Sequence, residues 1–156
     1  MRIPGFSYSS NGAYHITICT MERANLLWND NFDDISNWRE KLSEYGKIAY
    51  NRINEMNGYK NVHIDKYVIM PDHVHLLLFV ESSGASRTPH PTPPDYMPDN
   101  ARQNETIPFF VSTLKRMTNK TAGFNLWQKS YYDEVISDRE TYLNISYYIQ
   151  NNPLKI

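Results

Sequence analysis

The sequence predicts an α+β fold of ferredoxin-like type: one antiparallel four-stranded sheet with helices on one face, plus a C-terminal helix. Three observations predict it. Short segments rich in alternating β-branched and aromatic residues read as strands. Longer segments with apolar residues at three- and four-residue steps read as helices. Their order along the 156 residues is β-α-β-β-α-β-α, and the first six elements make the split βαβ pattern.

"AYHITICT", Ala13 to Thr20, is the first strand. A helix is expected from about Asp34 to Met56, where Ile35, Trp38, Leu42, Tyr45, Ile48, Ala49 and Ile53 recur at helical spacing and Asn57-Gly58 supplies the stop. "NVHIDKYVIMP" and "HVHLLLFV" follow as two strands separated by almost nothing, hence a tight antiparallel hairpin. Residues 81–108 hold six of the nine prolines and little apolar content, so they read as a long loop or insert. A second helix is expected over Phe109 to Ala122, and a fourth strand over "LWQKSYYDEVI". Asp138 can cap a last helix, "RETYLNISYYIQNN", which stops near Pro153.

The length suits one domain, 1–156, able to bury a core without disulfides. The lone Cys19 cannot form an internal bridge. The first residues lack a signal-peptide core and no run is long enough to span a membrane. A cytoplasmic location is the expectation. Formal net charge is −1, so composition does not announce a nucleic-acid binder, and local clusters must carry any such reading.

"YVIMPDHVHLLLFV" carries the chemistry. His73 and His75 stand two apart on a strand, so both imidazoles face the same side, with Val74 opposite. Imidazole is the commonest protein metal ligand near neutral pH. Two ligands hold a metal weakly, so a third group is needed. The same spacing also suits a pair of satisfied, half-buried histidines, and His15 and His63 read as structural. On the last helix Tyr148 and Asn152 are four apart and share a face with Ile145 and Ile149, while Tyr147 projects the other way beside Leu143. Tyrosine can act as a covalent nucleophile. Packing at a helix edge for Tyr148, and a C-terminal cap for Asn152, fit the spacing too.

"YHIT" at 14–17, "YVIMPDHVHLLL" at 67–78, "LWQKSYYDEVI" at 126–136 and "YIQNNP" at 148–153, in this order, resemble the IS200-like transposases, and within them the REP-associated tyrosine transposases of the HUH endonuclease superfamily. The resemblance spans most of the chain outside the proline-rich stretch. It implies a metal-dependent single-stranded DNA endonuclease and strand transferase, a nickase and ligase in which Tyr148 attacks the scissile phosphate through a 5′-phosphotyrosine intermediate. It implies Mg²⁺ or Mn²⁺ held by His73, His75 and Asn152, and single-stranded DNA with a hairpin, such as a REP-like palindrome, as substrate. A nucleoid-associated location in a prokaryote goes with it. Lys115, Arg116, Lys120 and Lys129 cluster as phosphate contacts, with Trp127 and Tyr131 as stacking surfaces. Two rival readings predict different outcomes: a phosphodiesterase in which water attacks, and a non-catalytic binder of structured DNA. Tyr131, Tyr132 and Tyr147 are rival nucleophiles, and monomer and homodimer are both open. Asp72 is either a base or a hairpin-turn residue.

Overall fold

A computed structural model describes residues 12–29, 37–81 and 99–151. Four strands, β1 (Gly12–Cys19), β2 (Val62–Met70), β3 (His73–Val80) and β4 (Tyr132–Val135), form one sheet in the order β2-β3-β1-β4. Every neighbouring pair is antiparallel, which is the ferredoxin-like arrangement expected from the element order. Pro71 and Asp72 make the turn between β2 and β3, as the near-zero separation of the two strands requires.

The helices divide between the two faces of the sheet. Tyr67 on β2 donates its hydroxyl to Asn54 Oδ1, at 2.7 Å, on α1 (Glu44–Glu55). That pins α1 to the face carrying Tyr67 and its strand partner Leu76. α2 (Asp99–Ala122) packs against α1 on that side. α3 (Arg139–Asn151) lies on the other face, where Tyr142 stacks at 5.8 Å on Phe79 and buries Ile145 and Ile149. His73 and His75 alternate with Val74 and Leu76, so both histidines point to the α3 face.

A bulge in β2 between Ile64 and Lys66 leaves Asp65 without a strand partner. Its carboxylate accepts the Tyr142 hydroxyl at 2.8 Å, which fastens α3 to the sheet. The extra residue also sets which β2 side chains face α3: Val68 and Met70 stand opposite His75 and His73.

Three boundaries differ from the sequence expectation. The first helix starts at Glu44, not near Asp34. Trp38–Lys41 is a short 3-10 turn, Leu42 is extended, and the Ser43 side chain caps Gly46 N–H at 3.1 Å. Trp38 and Leu42 are buried all the same, so an apolar anchor in a turn mimics helical periodicity. Ile35 lies outside the described residues. The second helix begins at Asp99 rather than Phe109, so residues 99–108 of the expected insert are helical and 82–98 lie outside the described residues. Pro108 reads as a boundary because its ring costs a helix interior about 3 kcal/mol. The buried stripe Ile107, Phe110, Val111 and Leu114 runs across it, and each fully buried apolar side chain contributes about 1.5–3 kcal/mol. The fourth strand is shorter, because the carbonyls of Gln128, Lys129 and Ser130 accept from a lysine side chain instead of a sheet ladder. Asp138 caps α3 through Thr141 N–H at 2.7 Å, as expected.

Gly46 marks where α1 meets the loop after β1. A Cβ there would collide with the Leu27 carbonyl oxygen. Gly46→Ala is expected to destabilise the fold by about 1–3 kcal/mol, the usual cost of overpacking, as read from urea unfolding.

Candidate active site

β3 opens with His73 and carries His75 one pleat further on, so the two rings lie edge to face with centroids 4.8 Å apart. Each ring is held by its Nδ1. His73 Nδ1 lies 2.7 Å from Asp72 Oδ1. The other carboxylate oxygen, Oδ2, accepts from Arg23 Nε at 3.1 Å and Nη2 at 3.0 Å. With both oxygens engaged, Asp72 orients a histidine, and the turn reading is the better of its two. A carboxylate is an acceptor, so the proton of neutral His73 sits on Nδ1 and its Nε2 carries the lone pair.

His75 is buried, and its Nδ1 lies 3.0 Å from His15 Nε2 and 3.1 Å from Thr17 Oγ1. Its Nε2 is buried and has no hydrogen-bond partner among the described residues. Such an orphan costs about 1–3 kcal/mol unless something completes it. Burial first, then the neighbouring His73 and His15, hold the His75 pKa down at about 3, so the ring is neutral. A neutral, buried, unpartnered imidazole nitrogen beside a second histidine is the donor set a divalent metal fits. Among the described residues no group of three or more His, Cys, Asp or Glu side chains is arranged to hold a metal ion. The described chain therefore offers two ligands. Asn152, the expected third, lies outside the described residues.

α3 carries Tyr148 over the pair. Its ring centroid is 5.2 Å from that of His75, edge to face, and 42% of the residue is exposed, so the ring covers the site while solvent reaches it. Buried Ile145 and Ile149 fix this rotation of the helix. Tyr147 is turned outward with Leu143, as the spacing predicts. Among the described tyrosines, Tyr148 is the one in ring contact with His75. Tyr132 is exposed on β4 opposite Thr17. Tyr131 lies beside the Lys115 ammonium.

The residues read as DNA contacts separate. Trp127 is fully buried and donates its indole N–H to Thr118 Oγ1 at 2.8 Å, so it is a core residue and no stacking platform. Lys115 is also committed: its Nζ donates to the carbonyls of Gln128, Lys129 and Ser130 at 2.8, 3.0 and 3.2 Å. It holds a turn rather than a phosphate. Arg116, Lys120 and Lys129 do come together, lining a groove of about 740 Å³ with Phe124 and Tyr131. Among the described residues, no acidic side chain lines it. Gln128, the residue before groove-lining Lys129, bonds Cys19 O through its N–H, and Cys19 is the strand partner of His73.

Sequence reasoning missed His15, Thr17, Arg23 and Glu134 as members of the site. Alternation places His15 and Thr17 on one face of β1, and that signal was present. Their meeting with His75 depends on a strand pairing across about 60 residues, which no local pattern encodes.

No family model matches the chain. An uncharacterized protein of Haemophilus influenzae is 30% identical over 164 residues, covering 99% of this chain and 87% of that protein. The chain belongs to that protein's family. Among solved structures, a REP-associated tyrosine transposase bound to a REP hairpin superposes with a TM-score of 0.60 at 16% identity, over 99% of this chain and 74% of its own. The chain shares the fold of that protein. A Deinococcus radiodurans crystal structure, 21% identical over 97% of this chain and 96% of its own, superposes with a TM-score of 0.45. Among the described residues, no helix is long and apolar enough to cross a membrane.

The core role of Trp127 is open to measurement. Trp127→Phe leaves the Thr118 hydroxyl without its donor and is expected to cost about 0.5–1.5 kcal/mol in chemical denaturation. Affinity for single-stranded hairpin DNA should stay within about twofold of wild type, because a core residue offers no stacking face.

Proposed function

We propose that the protein is a DNA strand transferase of the tyrosine transposase kind, cutting and rejoining single-stranded DNA that contains a hairpin. The observation that carries this reading is the Tyr148 ring lying against His75, whose buried Nε2 has no partner among the described residues. A nucleophile beside a metal-ready histidine pair is the minimum a phosphoryl transfer needs.

In this reading His73 and His75 present their Nε2 atoms to Mg²⁺ or Mn²⁺, and Asn152 adds its side-chain oxygen. A bound divalent ion supplies Lewis-acid polarisation of the scissile phosphate. The residues of the chain do the rest. α3 holds the Tyr148 hydroxyl above the pair for in-line attack. A bond forms from the tyrosine oxygen to phosphorus as the bond from phosphorus to O3′ breaks. The products are a 5′-phosphotyrosine and a free 3′-hydroxyl. The phosphodiester energy stays in the adduct, so a 3′-hydroxyl can reverse the step. Tyr148 is partly exposed, which lets its proton leave to water while the departing 3′-oxygen takes a proton from water, and both Asp72 oxygens are already engaged by Arg23 and His73.

The formal net charge of −1 is no obstacle, because three cations are gathered along one groove. Arg116, Lys120 and Lys129 line one groove, with Phe124 and Tyr131 as rings for base stacking. A solved neighbour of this fold is bound to a REP hairpin, which supports a structured hairpin as the ligand.

End-labelled hairpin DNA incubated with protein and Mn²⁺ tests the chemistry on a denaturing gel. Wild type should give a protein-linked label, and Tyr148→Phe and His73→Ala should abolish it. An adduct that survives in Tyr148→Phe would assign the nucleophile elsewhere, and cleavage without an adduct would make water the nucleophile. For the groove, Lys120→Ala and Lys129→Ala should each weaken DNA binding and lower the slope of log affinity against log salt by about 0.7, one phosphate contact on a single strand.

A further inference from the structure

His75 can carry its ring proton on Nδ1 or on Nε2, and only the first choice leaves a lone pair on the buried, unpartnered Nε2. Three strands bear on that choice. β4 places Glu134 opposite His15 on β1, and β1 places Thr17 opposite His75 on β3, all on one face of the sheet. Glu134 Oε1 lies 3.5 Å from His15 Nδ1, and His15 Nε2 lies 3.0 Å from His75 Nδ1. An ionised carboxylate only accepts hydrogen bonds. It draws the His15 proton onto Nδ1, which makes His15 Nε2 an acceptor. That acceptor draws the His75 proton onto Nδ1 in turn. The series ends at His75 Nε2, the buried atom with no partner among the described residues.

The geometry points to Glu134 and His15 as positioning residues that hold His75 in its Nδ1–H form. The consequence for metal binding rests on the reading of His75 as a ligand, whereas the tautomer is a property of the metal-free protein. Thr17 is the rival, because its hydroxyl lies 3.1 Å from the same nitrogen. A hydroxyl both donates and accepts, so it suits either tautomer and selects neither. His73 is set by the same device acting directly, through the Asp72 carboxylate at 2.7 Å.

Long-range ¹H–¹⁵N correlation spectra of the ¹⁵N-labelled, metal-free protein report which nitrogen of each imidazole is protonated. His75 should be Nδ1–H in wild type and should move to a mixture in Glu134→Ala and His15→Phe. Thr17→Val should leave it Nδ1–H. Glu134→Gln, whose amide oxygen still accepts, should restore the wild-type pattern. Mn²⁺ affinity, measured on the same samples by the electron paramagnetic resonance of the free ion, should fall about tenfold in Glu134→Ala and His15→Phe, the scale of a lost outer partner. Glu134 is more than half exposed, so its variants keep the test sound if His15→Phe fails to fold. Finding His75 as Nε2–H in wild type would overturn the proposal. So would an unmoved tautomer in Glu134→Ala, or a shift seen in Thr17→Val alone. The predicted tautomer pattern without Mn²⁺ binding to wild type would uphold the positioning and remove the metal reading.

Discussion

The pairing of β1 with β3 is the constraint on which the site depends. It aligns Thr17 with His75 and Cys19 with His73, joining segments about 60 residues apart. Side chains alternate across a strand, so a slip of one residue would turn every partner of His75 to the wrong face. Both central strands are buried, and moving either row would expose apolar surface worth about 25 cal/mol per Å². The apolar side of β3 thereby fixes the register of its polar side. Val74, Leu76, Leu78 and Val80 hold the strand in place, and the histidines between them are aimed as a result.

The two faces of the sheet have different duties. α1 and α2 close one face around Tyr67 and the apolar row. α3 is left to cover the other, and it touches the sheet through Tyr142, Ile145 and Ile149. Their spacing also decides where Tyr148 stands. The bulged Asp65 gives Tyr142 its hydrogen-bond partner, so an irregularity in an edge strand helps set the height of a helix over the histidines. Tyr148 keeps one side on His75 and the other in solvent.

Polar groups in this region are unusually well ordered for their burial. Arg23, Asp72 and His73 form one series, and Glu134, His15 and His75 form a second. Desolvated imidazole is costly unless its nitrogens are occupied. The Nδ1 of each ring is engaged by these contacts, while His75 Nε2 is buried with no hydrogen-bond partner among the described residues. By contrast, the cations of α2 answer different needs. Lys115 serves three carbonyls of a turn, and burial lowers its pKa. Arg116 and Lys120, on the same helix, face the open groove.

The sequence by itself determined the strand order, the hairpin at Pro71 and Asp72, the shared face of His73 and His75, and the face of α3 that carries Tyr148. These follow from periods of two and of 3.6 residues, which are local properties of a chain. Helix limits were less legible, because Trp38 and Leu42 bury apolar side chains from a turn, and Pro108 sits inside a helix that tertiary packing keeps whole. The roles of Trp127 and Lys115 were illegible, since a residue type says nothing of whether its polar group has already found a partner. His15 and Glu134 became part of the site only through pairings among β4, β1 and β3. Register between distant strands is decided by which buried surfaces fit together, and only the folded sheet contains that information.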